Sequence, residues 1–374
     1  MPEVAIVHDW LTGMRGGERV LEVLCERFPQ ADVFTLLHVR GSVSGAIERA
    51  RIHTSWLQHA PGVSRYYRQC LPLFPILIEQ FDLDRFDLVI SSSHCVAKAA
   101  VVRPGAVHIC YCHTPMRYAW DQFDAYFGPA RLGSARSALM RPIMASLARW
   151  DRATAGRVNR YVTNSQHVAR RIRRYYNREA SVIYPPVDTA FFHPPTSPHA
   201  RRGCLIVSAL VPYKRIDLAV DACRLAKVPL TIVGSGPERV RLERLAQQSG
   251  ADVTFLGRLS DDDVREQYRR AALMLMPGEE DFGIAPLEAQ ACGCPVVALA
   301  RGGAVEGIAS DQTGVLVDEP AADAFAHAIR GALAARFDPD HVRRHAEQFG
   351  RRRFADAMAE LVKETVREGA GRSW

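Results

Sequence analysis

The chain has no apolar run long enough to cross a bilayer as a helix, which argues against an integral helical membrane protein. Its start lacks a basic stretch followed by an apolar core, so no secretory signal is read and a cytoplasmic location is expected. The nine cysteines show no CxxC spacing; Cys110 with Cys112 and Cys292 with Cys294 stand one residue apart in apolar runs, and buried reduced thiols are expected. No Asp-x-Asp falls at a strand end. Asp261-Asp-Asp263 opens a helical pattern, where acids complement the dipole, so capping is expected there and no metal or other cofactor is implied. GxGxxG is also missing, so nothing points to a dinucleotide. No nucleic-acid motif accompanies the net charge of +7 and pI near 9.0. That charge suits nucleotide diphosphates, anionic lipid or nucleic acid, and does not choose among them.

What is present reads as a two-domain α/β chain. Its 374 residues exceed one typical domain, and 48% hydrophobic with 24% charged residues allows full cores under an ordinary surface. Strand-like segments alternate with helical patterns at Val4 to His8, Leu88 to Ser92, Val107 to Tyr111, Tyr161 to Asn164 and Ser181 to Tyr184. A second series runs through Cys204 to Ala209, Leu230 to Val233, Val253 to Leu256, Leu273 to Met276, Pro295 to Leu299 and Gly314 to Val317. Such alternation predicts parallel, doubly wound sheets. The proline-rich stretch between the series reads as a linker over 186–203, which separates domains at 1–185 and 204–345. A helical apolar pattern follows over 346–374, frayed from Gly369.

Most informative is Glu280-Asp-Phe-Gly-Ile-Ala-Pro-Leu-Glu288, where two carboxylates flank a turn that opens a helix. Pro286 suits a first helical turn, and Gly283 admits a close ligand, so the amides near Gly283, Ile284 and Ala285 could receive a diphosphate. One glutamate could then accept from sugar hydroxyls and the other from ribose hydroxyls, or both could be solvated acids near a helix start. His113 ends the strand that begins at Val107, and ligands of open α/β sheets lie at carboxyl strand ends. Gly16 and Gly17 sit in a turn that follows the first strand and opens a helix; either they bring backbone amides to a ligand or they simply punctuate the chain. His94 and Glu306 are secondary candidates. In Trp56 to Ile78, aromatic and basic residues precede an apolar run broken by prolines, which suits docking on an anionic membrane or a packed helix with a solvated basic face. The arginines at 141, 149, 152, 157, 170, 171, 173 and 174 could add to headgroup attraction.

With its two glutamates, the following Ala and the Gly-Cys-Pro-Val strand, the 280–298 segment resembles the hallmark of the retaining glycosyltransferases of family 4. The resemblance runs from the first strand to about Phe354. It implies the GT-B fold, two Rossmann-like domains facing across a cleft, with the last helix returning to the first domain. It also assigns Glu280 to the donor sugar, Glu288 to the ribose, and His113 to the neighbourhood of sugar and acceptor. Ser208-Ala-Leu-Val-Pro-Tyr-Lys-Arg-Ile-Asp217 resembles the family's phosphate-binding segment, in which Lys214 would stabilise the departing diphosphate. Ala209 stands where many relatives place an arginine, which leaves that role to Arg215 or a first-domain arginine. Gly234 and Gly236 match the family's Gly-x-Gly-Pro turn near the nucleotide, Leu256 lies in the loop that meets the base, and Gly16 and Gly17 form the loop near donor phosphate or acceptor. The resemblance implies transfer of a sugar from a nucleotide-diphospho-sugar, with GDP-mannose and a polyprenyl-diphosphate-linked saccharide of cell-surface polysaccharide assembly as the favoured pair. A UDP- or dTDP-sugar with a small-molecule acceptor, a nucleotide-sugar epimerase and a basic nucleic-acid-binding protein are the alternatives.

Overall fold

The computed structural model describes residues 3–197 and 200–370. Its contacts divide the chain into two units, one of Met1–Pro186 with Phe354–Trp374 and one of Val187–Arg353.

The first unit is built on seven parallel strands: β1 (Val4–His8), β2 (Asp32–Thr35), β3 (Arg51–Thr54), β4 (Leu88–Ser93), β5 (Val107–Cys112), β6 (Arg160–Thr163) and β7 (Ala180–Val182). Their order is β3-β2-β1-β4-β5-β6-β7, so the winding reverses between β1 and β4. β4 and β5 are buried along their whole length, as a parallel sheet covered on both faces requires. The helix Gly16–Arg27 lays Val20, Leu21, Val23 and Leu24 on the sheet. From the other end of the chain, the helix Arg351–Ala370 adds Phe354, Met358, Leu361 and Val362 to the same core. These positions fall on one face at helical spacing, and burying each stabilises the unit by about 1.5–3 kcal/mol. Gly369 and Ala370 still belong to this helix, and the rest of the expected frayed tail lies outside the described residues.

A buried charge ties the helical side of this unit together. Lys98, 1% exposed, bonds the Asp151 carbonyl at 2.6 Å and Thr154 Oγ1 at 3.0 Å, and pairs with the Asp151 carboxylate at 3.0 Å. The other carboxylate oxygen accepts from Trp120 Nε1 and the Tyr176 hydroxyl. Such density of partners is what makes a buried ion pair tolerable.

The second unit repeats the plan with β8 (Cys204–Val207), β9 (Leu230–Val233), β10 (Val253–Gly257), β11 (Leu273–Met276), β12 (Val296–Leu299) and β13 (Gly314–Val317), all parallel. The order β10-β9-β8-β11-β12-β13 is that of a doubly wound nucleotide-binding sheet, with its reversal between β8 and β11.

Three readings from sequence need correction. The strands β2 and β3 escaped notice. The stretch 186–203 does not hang between units: from Val187 it packs on the second, with Phe192 buried and its backbone carbonyls held by arginines of that unit, Arg269 on His193 at 2.8 Å and Arg343 on Phe192 at 3.3 Å. Asp261-Asp-Asp263 forms the first helical turn rather than its cap, because Ser260 Oγ accepts the Asp263 amide. Among the described residues no helix is long and apolar enough to cross a membrane.

Candidate functional site

In open parallel sheets, ligands collect outside the carboxyl ends of the strands where the winding reverses. In the second unit that place is the mouth of β8 and β11. β8 runs into a loop and a short 3-10 turn, Pro212–Lys214, and β11 runs into residues 277–283 before the helix Ile284–Ala291. The two loops meet: Lys214 Nζ forms an ion pair with Glu280 Oε1, the side chains 19% and 12% exposed. Two glycines make this approach feasible. A Cβ on Gly278 would stand 2.4 Å from the Tyr213 carbonyl oxygen and 2.7 Å from Lys214 Cα. A Cβ on Gly302, where φ is +67°, would stand 2.1 Å from the Glu280 carbonyl oxygen. The Gly303 amide donates to that same oxygen at 2.8 Å, so the Arg301-Gly-Gly turn fixes the backbone that carries Glu280.

Behind Glu280, Gly283 takes φ +92° at the N-cap of Ile284–Ala291, a conformation that favours glycine. The first amides of a helix have no acceptor within it, so Ile284 and Ala285 offer donors to an anion beside Lys214. Glu288 lies one turn further in and accepts from the Tyr268 hydroxyl at 3.0 Å. Tyr268 is fully buried, and burial, then Glu288, pushes its phenol well up, so it stays a donor. Nothing in the sequence marked Tyr268, since only packing of its helix against Ile284–Ala291 brings it there.

The other candidates of this unit sort differently. Arg215 takes a left-handed backbone conformation and pairs with Asp217 at 3.3 Å. Leu256 is 38% exposed on the edge strand β10. Gly234 and Gly236 have a plain packing reason for lacking side chains: a Cβ there would meet the Ser208 and Leu210 carbonyl oxygens at 1.9 and 2.3 Å. Glu306 lies on the short helix Ala304–Gly307.

The first unit has its own cluster at the reversal between β1 and β4. Here His8 ends β1, Ser92 lies in register beside it on β4, and His113 follows β5. The Ser92 hydroxyl is 3.1 Å from His8 Nδ1 and 2.9 Å from His113 Nε2. Gly17 lies against both rings: a Cβ there would be 3.5 Å from His113 Nε2 and 3.6 Å from His8 Cε1, whereas Gly16 begins the helix. Asp9 is completely buried and clamps the loop after β4, accepting the His94 and Cys95 amides on Oδ2 and those of Val96 and Ala97 on Oδ1. Burial alone would raise its carboxyl; His94, 3.0 Å away, and then His8 outweigh that and hold it well below the usual range. His8, Asp9, Glu18 and Ser92 were missed in the sequence, although their strand-end positions could have flagged His8 and Asp9.

Burial, then the neighbouring His94 and His8, pull the His113 imidazole down to about 3. His113 is therefore neutral from mildly acid to alkaline pH. An unfolded chain would protonate this ring near 6.5, so the ring's contribution to stability is present above that value and falls as pH drops from 6.5 toward 3. NMR titration is expected to show no His113 inflection between pH 5 and 8 on this account; an inflection near 6.5 would contradict the lowered pKa.

Among the described residues no group of three or more His, Cys, Asp or Glu gathers closely enough to hold a metal ion.

Two family models match the chain: Glycosyltransferase Family 4 over residues 14–191 and Glycosyl transferases group 1 over residues 189–353. A D-inositol 3-phosphate glycosyltransferase of Acidothermus cellulolyticus is 37% identical over 213 residues, 48% of this chain and 46% of that protein. One of the same name from Mycobacteroides abscessus is 30% identical over 293 residues, 68% of this chain and 65% of that protein. The chain thus spans about half to just under two thirds of the length of these relatives. Among solved structures, sucrose-phosphate synthase from Thermosynechococcus elongatus superposes with a TM-score of 0.73 at 19% identity, covering 97% of this chain and 99% of that one. Anabaena Alr3699/HepE in complex with UDP gives 0.70 at 17% identity, covering 97% and 100%.

Proposed function

Because the chain belongs to glycosyltransferase family 4 and has the GT-B fold, we propose that it moves a sugar from a nucleotide-diphospho-sugar to an acceptor hydroxyl with retention at the anomeric carbon. The observation that carries this reading is the Lys214–Glu280 pair beside the first turn of Ile284–Ala291. A diphosphate set against the Ile284 and Ala285 amides has Lys214 at its side. As the bond from the anomeric carbon to phosphate oxygen breaks, Lys214 and the helix amides take up the charge on the leaving group. Glu280 holds the sugar hydroxyls and favours the cationic character that develops on the ring, and Glu288, oriented by Tyr268, accepts from the ribose. The acceptor oxygen attacks the same face, and its proton passes to the departing phosphate. His113 receives a sugar or acceptor hydroxyl as a neutral hydrogen-bonding ring.

The segments 207–217 and 277–288 resemble those of bacterial mannosyltransferases, and that resemblance supports mannose from GDP-mannose with a lipid-linked saccharide as acceptor. In support of a lipid-borne acceptor, Trp56 and Ile76 are each 55% exposed and Leu73 is 41% exposed. Leu73, Ile76 and Gln80 fall on one face of the turn at helix Phe74–Glu79, and Trp56 Nε1 bonds Gln80 at 3.0 Å, so the three apolar side chains form one patch. Arg65 and Arg68 lie on the same stretch, and residues 49–78 contain no acid. The arginines read from sequence as headgroup contacts carry less of this: Arg141, Arg157, Arg171 and Arg173 pair with Asp124, Glu79, Asp121 and Glu179. A second reading, a UDP-sugar with a small-molecule acceptor, draws support from the relatives' names and from the neighbour solved with UDP.

The test is a panel of nucleotide-sugars crossed with free inositol phosphate and with a polyprenyl-diphosphate saccharide in anionic vesicles, read by product mass and anomeric configuration. Release of nucleoside diphosphate only when acceptor is present, with retained configuration, is expected. Conversion of donor without acceptor would make the chain an epimerase instead.

A further inference from the structure

The chain of contacts that ends at His113 begins three residues away in space, at Glu18. Glu18 Oε1 lies 3.9 Å from His8 Nε2, His8 Nδ1 lies 3.1 Å from Ser92 Oγ, and Ser92 Oγ lies 2.9 Å from His113 Nε2. His8 and Ser92 are fully buried and Glu18 is 2% exposed. Glu18 Oε1 and His8 Nε2 are both buried without a hydrogen-bond partner, and at 3.9 Å they lie just beyond bonding distance of each other.

Proton counting restricts the chain. An ionised carboxylate only accepts, a neutral imidazole has one donor and one acceptor nitrogen, and a hydroxyl has a single proton to give. Burial would raise the Glu18 carboxyl, but its surroundings, His8 foremost, hold it down, so Glu18 is ionised. With His8 as a neutral ring, the nearby carboxylate charge favours its one proton on Nε2, which leaves Nδ1 bare. Ser92 gives its proton to that nitrogen and can only accept from His113, whose Nε2 therefore carries the proton.

We propose that Glu18, acting through His8 and Ser92, locks His113 in the Nε2–H tautomer and presents Nδ1 as a hydrogen-bond acceptor. Glu18, His8 and Ser92 are positioning residues. The opposite order of protons along the chain would present His113 as a donor, so the ionisation of Glu18 sets what the ring offers to a hydroxyl. That the hydroxyl belongs to a sugar or acceptor rests on the proposed transfer; the tautomer does not.

The test uses the full chain labelled with nitrogen-15 in histidine, at neutral pH and without substrate. Long-range proton–nitrogen correlations report which ring nitrogen holds the proton, and the His113 signals are identified by their loss in His113→Gln. A single His113 form with Nε2 protonated is expected in the wild type. Free imidazole also leans toward that form, so the variants decide. In Glu18→Gln, and separately in Ser92→Ala, a second His113 population protonated at Nδ1 is expected, and adding Glu18→Gln to Ser92→Ala should change nothing more. A wild-type ring protonated at Nδ1 overturns the proposal, as does a pure Nε2–H form in Glu18→Gln. Should Glu18→Gln fail to fold, a pure Nε2–H form in Ser92→Ala overturns it equally. In the transfer assay Glu18→Gln is expected to lower kcat about tenfold with donor KM unchanged. A chain inactive with every donor would sink the proposed function and leave the spectra to judge the tautomer.

Discussion

Replacing Glu280 with glutamine is expected to lower kcat roughly a hundredfold, about 2.7 kcal/mol of transition-state stabilisation, without raising donor KM. The substitution keeps the shape of the side chain, removes its charge and turns one acceptor oxygen into an NH2 donor. That charge matters most when the ring of the donor becomes cationic, which is after binding. It also matters to Lys214, whose ammonium pairs with Glu280 in the structure and is held less tightly once that partner is neutral. Donor affinity should therefore hold or improve while turnover falls. Lys214→Ala is expected to do the reverse in part, weakening donor binding and slowing transfer together. Because the two residues touch, the double variant should cost less than the two single costs combined. Steady-state kinetics on the three variants checks this, and wild-type turnover in Glu280→Gln would remove Glu280 from the chemistry.

The second large effect is structural. Gly302→Ala places a methyl carbon 2.1 Å from the Glu280 carbonyl oxygen at a position where φ is +67°. The left-handed backbone costs a side chain about 1–2 kcal/mol, and relieving an overpacked contact against backbone costs about 1–3 kcal/mol more. A loss of roughly 2–5 kcal/mol is expected in the unfolding transition of the second unit, measured by urea denaturation. What has to move is the segment that carries Glu280, so kcat should fall with stability. A variant within about 0.5 kcal/mol of wild type would show that the turn and the Glu280 backbone do not meet as described.

Much of the fold was legible because buried parallel strands are written as short apolar runs between turn signals. β1, β9, β11 and β13 have the bounds read from sequence, and the other strands that were read shift by one or two residues. β2 and β3 were not legible, since Asp-Val-Phe-Thr and Arg-Ile-His-Thr are four residues long with two and three polar residues, and a sheet neighbour rather than composition makes them strands. In the candidate site, spacing marked Glu280 and Glu288 and the family resemblance marked Lys214, but neither told that Lys214 reaches Glu280, because Gly278 and Gly302 decide that through contacts distant in sequence. Gly234 and Gly236 show the opposite failing: a glycine pair reads the same whether it admits a ligand or another stretch of backbone. The line from Glu18 to His113 joins a helix, two strands and a loop, and no local pattern encodes it.

The arginines that grip the stretch after Val187 bear on how the molecule can be dissected. A fragment begun at residue 204 would discard Phe192 and the carbonyls of His193 and Phe192, and Arg269 and Arg343 would each lose a tether. One begun at Val187 keeps them, along with the bond from the Val187 amide to the Phe349 carbonyl that joins the two ends of the piece. Isolating the second unit thus calls for a cut upstream of Pro194 and Pro195, where composition alone would have set it downstream of them.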